Sequence, residues 1–279
     1  MAEFDWYQAT VPEPPAWLAS ALRDQYEGAS LERVKSPNYR YRHASAVVVG
    51  DRVCCHIMSD DRYEHPHVLA TSDEAALFAP RLRDIAPEHS VSRVDVADDF
   101  TEPGLYDRWY PRIVALAQAH QTTLGCAGDW VTDNPSRTLY AGSPKSPNRI
   151  RFYEKTPQLR SAVPQCFHRM IPEHWTRLET QTRPDRAEAR AQLATLSPDA
   201  VYGVSALGVA VANELLGRSV DRVRVGTVWR QSDHDRAVFH AASQYGRCLL
   251  HEADLLGDDG PLAQRIRLLF NQAREVQNR

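Results

Sequence analysis

The chain has 279 residues, 43% of them hydrophobic, which is enough to bury one large core or two modest ones and predicts about two domains. Its formal net charge of −3 gives no global argument for nucleic-acid binding, so any site for a polyanion must be a local feature. The five cysteines form no C-x-x-C pair, which predicts reduced thiols and argues against a structural zinc site.

No predicted segment suits a membrane or an export signal. The amino terminus has no basic leader followed by an apolar stretch, and the most apolar segment, VSALGVAVANELL, is interrupted by Asn213 and Glu214. The sequence therefore favours a soluble chain in a reducing cytoplasm.

The first elements in chain order are a strand, a helix, a hairpin and a second helix. They are DWYQATV, Pro15 to Tyr26, YRHASAVVV with RVCCHIMS, and Ser72 to Ile85. The order then recurs as the strand SRVDVADDF, a helix from Tyr106 to His120, and a hairpin of RTLYAG and RIRFYEK. The strand HWTRLETQTR adds to the second half. Two similar halves, about residues 1–88 and 89–186, predict an α+β fold whose antiparallel sheet has helices on one face only.

Beyond Pro184 the chain becomes helical. One helix is predicted with Ser197 as its N-cap, Pro198 at its first position and Gly217 as its stop. Further helices are predicted from Asp233 to Leu256 and from Pro261 to Val276. The domain prediction is therefore 1–186 for the sheet domain and 187–279 for a mainly helical region.

Charges concentrate on one face of the predicted strands. In RIRFYEK, the two-residue alternation of β structure puts Arg149, Arg151, Tyr153 and Lys155 on the same side. Residues 137–160 contain six Lys or Arg and a single acid, Glu154. A solvated hairpin explains such a run equally well, because charged runs are usually exposed faces.

Carboxylates recur on the neighbouring strands. Asp95 and Asp99 share a face of SRVDVADDF with Arg93, and Glu179 lies on the charged face of HWTRLETQTR. Hard ions such as Mg²⁺ or Mn²⁺ take oxygen ligands of this kind. A salt-bridge lattice in which arginines 93, 177 and 183 neutralise the three acids is at least as consistent with the pattern.

Tyr153 is the candidate nucleophile. A phenol has a pKa of about 10, so attack near neutral pH needs nearby positive charge or a metal that favours the phenolate. Arg151, Lys155 and a bound ion would supply that charge and stabilise the developing phosphorane. Taken alone, a tyrosine in a strand is far more often a packing residue.

The ordered set DWYQATV, SRVDVADDF, TLYAGSPKSPNRIRFYEK and WTRLETQTR resembles the rolling-circle replication initiation factor family of plasmids and filamentous phages, the Rep_trans type, with related conjugative relaxases. The resemblance spans roughly residues 4–220. It implies Tyr153 as nucleophile, with Arg151 and Lys155 stabilising phosphate charge, and Asp95, Glu179 and Asp99 as metal ligands. Which of Asp98 and Asp99 binds the metal stays open. The residues expected to contact DNA are Arg137, Ser143, Lys145, Arg149, Arg177 and Arg183.

The resemblance further implies a catalytic nicking domain at residues 1–186 in the cytoplasm of a bacterial host. The expected enzyme is a metal-dependent DNA nickase and relaxase that uses Mg²⁺ or Mn²⁺ and forms a 5′-phosphotyrosyl intermediate. Its expected partner is origin DNA, single-stranded or as an extruded hairpin, with a homodimer and a host helicase possible and no membrane. The alternative is a non-catalytic module that binds single-stranded DNA through the same face. A metal pair at His65 and His67 is disfavoured because Pro66 removes a ladder donor from the strand.

Overall fold

A computed structural model describes residues 1–34, 41–131, 136–223, 244, 248, 250–256, 260, 261 and 263–268. The chain divides into two compact units, Met1–Gly226 and Thr227–Arg279. In the second unit, the described residues are helical, as predicted, and the other positions of the two predicted helices lie outside the described residues. No helix in the described part of the chain is both long and apolar enough to cross a membrane.

The first unit combines strands and helices in alternation. Its strands are β1 (Glu3–Thr10), β2 (Ser30–Arg33), β3 (His43–Val49), β4 (Arg52–Ser59), β5 (His67–Thr71), β6 (Ser90–Phe100), β7 (Leu124–Ala127), β8 (Thr138–Ala141), β9 (Asn148–Glu154) and β10 (Thr176–Thr182). Its α-helices are α1 (Pro15–Asp24), α2 (Asp73–Ile85), α3 (Leu105–Ala119), α4 (Lys155–Ala162), α5 (Ala187–Leu193), α6 (Pro198–Val201) and α7 (Ala206–Glu214). Short 3₁₀ segments cover Gln165–Met170 and Tyr202–Val204.

The strands of the first unit form one antiparallel sheet in the order β2-β3-β4-β5-β1-β6-β10-β9-β8-β7. The central pair is β1 and β6. Counting outward from it, one side reads β1, β5, β4, β3, β2 and the other reads β6, β10, β9, β8, β7. The structure is therefore an α+β fold with a large antiparallel sheet.

The main hydrophobic core lies against one face of this sheet. Tyr7, Val96, Phe152 and Leu178 project from four central strands into a cluster that also takes buried side chains from α1, α2, α3, α5 and α7. Period-two alternation sends the remaining side chains of these strands to the opposite face, which we call the open face. The polar strand residues singled out in the sequence lie mostly there.

Three features differ from the expectation. The single helix predicted from Ser197 to Gly217 is divided into α6, a 3₁₀ turn and α7, and Ser197 caps only the short first piece by accepting a hydrogen bond from the Ala200 amide at 3.3 Å. Strands β2, β5 and β7 are missing from the prediction. The compact unit also continues past residue 186 to Gly226, because α5 and α7 bury Leu193 and Val211 in the same core as the sheet.

Candidate active site on the open face

Pairing between β9, β10 and β6 fixes which predicted residues are neighbours. Tyr153 pairs with Arg177, which pairs with Asp99. One step along the open face, Arg151 pairs with Glu179. Two steps along, Arg149 pairs with Gln181, which pairs with Asp95. Antiparallel partners point to the same face of a sheet, so all these side chains share one surface.

Tyr153, Glu179 and Asp95 form a diagonal across three adjacent strands. Glu179 lies diagonally across from Tyr153 on the next strand, and Asp95 lies diagonally across from Glu179 on the strand after that. Diagonal neighbours in an antiparallel sheet are roughly 7–8 Å apart. Asp95 and Glu179 are almost fully buried, each with a side chain 2% exposed. The sheet thus gathers the predicted nucleophile and two of the predicted acids in one small region.

Each acid of this region has an arginine partner. Arg93 forms an ion pair with Asp95, and Arg151 donates to Glu179 over 2.5 Å. Gln181 adds a bond of 3.1 Å from its amide to Asp95. The expected salt-bridge lattice is therefore present, although Arg151 takes the place that the sequence suggested for Arg183.

The two buried acids repel each other although each has an arginine partner. Burial raises the pKa of Glu179 to about 7, Arg151 opposes that rise, and the charge of Asp95 adds to it. Two buried carboxylates that repel each other fit a Mg²⁺ or Mn²⁺ ion, which typically takes one or two carboxylates plus water and substrate phosphate. The described residues contain no cluster of three or more protein ligands that could hold a metal, so the fit rests on this pair.

Asp99 and Asp98 point in opposite directions from β6. Asp99 accepts hydrogen bonds from Arg177 at 2.6 and 2.7 Å and from the indole of Trp175 at 2.6 Å. Burial opposes its ionisation, but these donors prevail and lower its pKa. Asp98 instead lies beneath the sheet, where Tyr202 donates to it at 3.0 Å and Arg218 forms an ion pair with it. Asp98 therefore belongs to the core.

The environment of Tyr153 does not favour the phenolate. Burial and the charge of Glu179 raise its pKa to about 12, outweighing the opposite effects of Arg151 and Arg177. The arginines alone do not bring this pKa below its ordinary value, because the residue is only 6% exposed and an acid lies beside it; the sequence-based expectation counted on a bound ion as well. Its hydroxyl nevertheless has no hydrogen-bond partner among the described residues and is not sealed from solvent.

The basic residues divide into two groups. Arg137 pairs with Glu154 at 2.8 Å and Asp107 at 2.7 Å, while Arg177 pairs with Asp5 at 2.5 Å and with Asp99. These two arginines brace the fold. Arg151 pairs with Glu179 as described above, and in the described part of the chain the other four predicted cations have no carboxylate partner: Lys145, Arg149, Lys155 and Arg183.

Lys155 does not extend the strand as predicted. It begins α4, and its ammonium group lies 4.8 Å from the centre of the Trp175 ring. Burial and the neighbouring Arg177 lower its pKa. The strand ends at Glu154 because the Lys155 and Thr156 amides both donate to the Trp175 carbonyl, at 2.7 and 3.3 Å. Lys155 therefore approaches the region from the end of the strand.

The turn between β8 and β9 carries Ser143 and Lys145. It depends on Gly142, whose φ is +110° and where an added Cβ would lie 2.8 Å from the Asn148 carbonyl oxygen, so that a side chain is excluded. Arg183 closes the turn, because its amide donates to the Pro147 carbonyl at 2.7 Å. The turn therefore holds three of the predicted DNA contacts, Ser143, Lys145 and Arg183, beside the strand of Tyr153.

Two adjacent arginines on β9 have buried donors without acceptors. The Nε atoms of Arg149 and Arg151 are sealed from solvent and have no hydrogen-bond partner in the described residues. Arg149 also stacks 3.8 Å from the centre of the Tyr140 ring, and burial lowers its pKa. The terminal nitrogens of Arg149 are not sealed and have no hydrogen-bond partner in the described residues, and a phosphate group supplies several acceptors for such donors.

The matching positions in the other half of the sheet carry different residues. Met58 on β4 pairs with His67 on β5, and Trp6 on β1 pairs with Thr71. Strands β1, β5 and β4 on one side of the sheet centre occupy the same order as β6, β10 and β9 on the other. By strand and register, Met58 therefore corresponds to Tyr153, Leu69 to Glu179 and Trp6 to Asp95. Ala44, Met58 and Leu69 form a small apolar cluster there.

Three residues of the site were absent from the prediction: Asp5, Trp175 and Gln181. Asp5 belongs to β1, and its contact with Arg177 crosses 172 residues of sequence. A bulge in β1 between Phe4 and Trp6 brings it to this face. Gln181 could have been predicted from the sequence, because it lies two residues from Glu179 and so shares the charged face of β10.

No protein-family model matches the chain, and no curated protein matches it. Among solved structures, the chain is similar to the structure of a rolling circle replication initiator protein from Geobacillus stearothermophilus, with 22% sequence identity and a TM-score of 0.50. The match covers 72% of this chain and 82% of that chain. At this identity the similarity concerns the fold.

Proposed function

We propose that the protein nicks and rejoins single-stranded DNA to initiate rolling-circle replication of a plasmid or phage. The observation that carries the proposal is the diagonal of Tyr153, Glu179 and Asp95 on the open face of a sheet. The fold similarity to a rolling circle replication initiator supports the same reading. Origin DNA is the proposed partner, and the bacterial cytoplasm is the proposed location.

The proposed reaction is a transesterification at phosphorus. The phenol of Tyr153 releases its proton to solvent, its oxygen forms a bond to the scissile phosphorus, and the bond from phosphorus to the 3′ oxygen breaks. The leaving oxygen takes a proton and becomes a free 3′-hydroxyl, while the phosphate stays on the tyrosine as a 5′-phosphotyrosyl ester. The reverse attack by a 3′-hydroxyl rejoins the strand, so the bond energy is conserved.

The arginines of β9 have distinct proposed tasks. Arg151, whose guanidinium lies 4.8 Å from the centre of the Tyr153 ring, lowers the pKa of the phenol and faces the phosphate. Arg149 offers its terminal guanidinium nitrogens, which have no hydrogen-bond partner in the described residues, to the same phosphate or the next one. Lys145, Lys155 and Arg183 are proposed to hold flanking phosphates, because they are not committed to carboxylates within the described residues.

Asp95 and Glu179 are the proposed metal ligands, whereas Asp99 is left out of this set because it accepts from Arg177 and Trp175. When bound, a Mg²⁺ or Mn²⁺ ion would supply Lewis-acid polarisation of the phosphate and favour the phenolate. Both carboxylates are buried away from bulk water, and they lie on the same face of the sheet as Tyr153. Arg93 and Arg151 limit the repulsion between the acids before any ion arrives.

Covalent trapping tests the proposal. The protein is incubated with a labelled random-sequence single-stranded DNA pool and Mn²⁺, and denaturing gels then reveal any protein-linked DNA. We expect an adduct with the wild type and with Tyr63→Phe, and none with Tyr153→Phe. Tyr63 is the matched control because it is an exposed tyrosine that lies outside the cavity beside Tyr153. An adduct that persists in Tyr153→Phe, or maps to another residue, would contradict the assignment.

A second function, binding of single-stranded DNA without cleavage, is favoured by one observation. Burial holds the pKa of Tyr153 at about 12, so the phenol is not activated by the protein alone. This reading predicts salt-sensitive DNA binding by the wild type and no adduct with either divalent ion. The trapping experiment therefore decides between the two functions.

A further inference from the structure

A cavity of about 530 Å³ adjoins Tyr153 on the open face. Two tyrosines, Tyr140 and Tyr153, form part of its wall on the strands, and Gln158 and Ser161 line it from α4. This volume lies in the range of small-molecule sites, roughly 300–1,000 Å³. The cavity therefore has room for one nucleotide beside the phosphate that Tyr153 is proposed to attack.

The charge of the cavity disfavours a phosphate group inside it. Its charged lining residues are one cation, Arg151, and two acids, Asp129 and Glu154. The unpaired donors of Arg149, by contrast, lie outside this lining. The neighbouring arginines thus suit the sugar-phosphate backbone, while the cavity suits an uncharged polar group.

Its lining supplies the two interactions that bind an extruded base. The half-buried ring of Tyr140, which Arg149 covers on one face, is the aromatic surface for stacking, whereas the ring of Tyr153 is almost fully buried. The Gln158 side-chain amide has no hydrogen-bond partner in the described part of the chain, so both its donor and its acceptor remain available. A glutamine amide can bond two groups on the edge of one base.

We propose that this cavity binds the base of an unpaired nucleotide next to the scissile phosphate, and that Gln158 contributes to base preference. The proposal rests on the proposed function for the identity of the ligand as DNA. It adds a specificity site, formed by α4 and the β8–β9 hairpin, to the site of strand cleavage.

Photocrosslinking tests the cavity without requiring cleavage. The Tyr153→Phe protein is irradiated with a random-sequence single-stranded pool that carries thiothymidine or thioguanosine, and crosslinked peptides are mapped by mass spectrometry. We expect crosslinks to peptides that contain Tyr140 or Gln158. Ser161→Trp, which fills the cavity from an exposed position, should reduce them roughly tenfold, since loss of base stacking has an effect of this order.

Ser30→Trp is the matched control, because Ser30 is also exposed but lies on β2 in the other half of the sheet. It should retain the crosslinks.

Gln158→Ala should keep the crosslinks while changing the bases recovered at the crosslinked position. Crosslinks confined to other peptides, or undiminished in Ser161→Trp, would overturn the proposal. Because the Tyr153→Phe background cannot form the tyrosyl ester, these results are independent of whether the wild type cleaves DNA.

Discussion

The carboxylates of Asp95 and Glu179 lie on the adjacent strands β6 and β10 as diagonal neighbours, both beneath the surface of the open face. Burial raises the pKa of Glu179 to about 7, and Asp95 contributes although Arg151 opposes it. A protein rarely keeps two such acids together without a cation or a proton between them. From this relationship we expect effects of pH and of divalent ions that can be measured.

The first prediction concerns pH. Because the pKa of Glu179 is about 7 in the folded protein and 4.5 ordinarily, the folded state binds more protons between these values. Its contribution to the free energy of unfolding therefore falls as pH rises from about 4.5 to about 7. Glu179→Gln should remove this contribution, as measured by urea unfolding across the window.

The difference between wild type and variant isolates Glu179 from other groups. Burial lowers the pKa of His67 to about 4, so this histidine makes an opposite contribution over part of the same window in both proteins. Glu154→Gln is the control, because it leaves Glu179 in place. A wild-type-minus-variant difference that does not change with pH would contradict the assigned pKa.

The second prediction concerns divalent ions. At a pH above 7, where Glu179 is ionised, Mn²⁺ should raise the midpoint of thermal unfolding of the wild type, by linkage to the folded state. Asp95→Asn and Glu179→Gln should lose most of this gain, whereas Glu154→Gln should keep it. Equal stabilisation of all four proteins would place the ion elsewhere.

The third prediction separates DNA contacts from structural arginines. Arg149→Ala should weaken binding of single-stranded DNA and lower the slope of log affinity against log salt by about one, because Arg149 has no carboxylate partner in the described residues. Arg137→Ala should leave that slope almost unchanged but reduce stability, because Arg137 is bound to Glu154 and Asp107. Fluorescence anisotropy over a salt series measures the slopes. Identical slopes for Arg149→Ala and wild type would remove Arg149 from the DNA contacts.

The fourth prediction concerns the core beneath the site. Arg218→Met should cost roughly 3–5 kcal/mol of unfolding free energy, because it leaves the buried carboxylate of Asp98 with only the exposed ammonium of Met1, 3.8 Å away, as a cation. Arg23→Met, which breaks an exposed pair with Asp24, should cost at most about 1 kcal/mol. Urea unfolding gives both values. A loss for Arg218→Met as small as that for Arg23→Met would show that Tyr202 and the Met1 ammonium are enough to satisfy Asp98.

Much of the fold was predictable because its strands alternate strongly. The charged faces of β6, β9 and β10 follow the period of two, and this alternation alone places Tyr153, Asp95 and Glu179 on one surface. The helix predicted from Ser197 to Gly217 was harder, since a continuous apolar run does not reveal the 3₁₀ turn at Tyr202–Val204. The short strand β7 carries too few residues for a periodic signal.

The electrostatics of the site were less predictable. Sequence spacing shows which charges share a strand, but the pKa of Tyr153 depends on its burial and on Glu179, which lies on another strand. The ion pair between Arg151 and Glu179 also joins two strands, so the sequence of either strand alone could not predict it. Asp5 contacts Arg177 because a bulge in β1 turns it towards this face, and no local sequence pattern predicts that contact.

The order of strands is the same on both sides of the central pair, but the proposed catalytic residues lie on one side only. Where the second half has Tyr153, the first half has Met58, which cannot form an ester with phosphate. If Tyr153 is the nucleophile, covalent capture should therefore saturate at one equivalent of DNA per polypeptide. Any second cleavage must wait for turnover of the first linkage or recruit the phenol of another molecule.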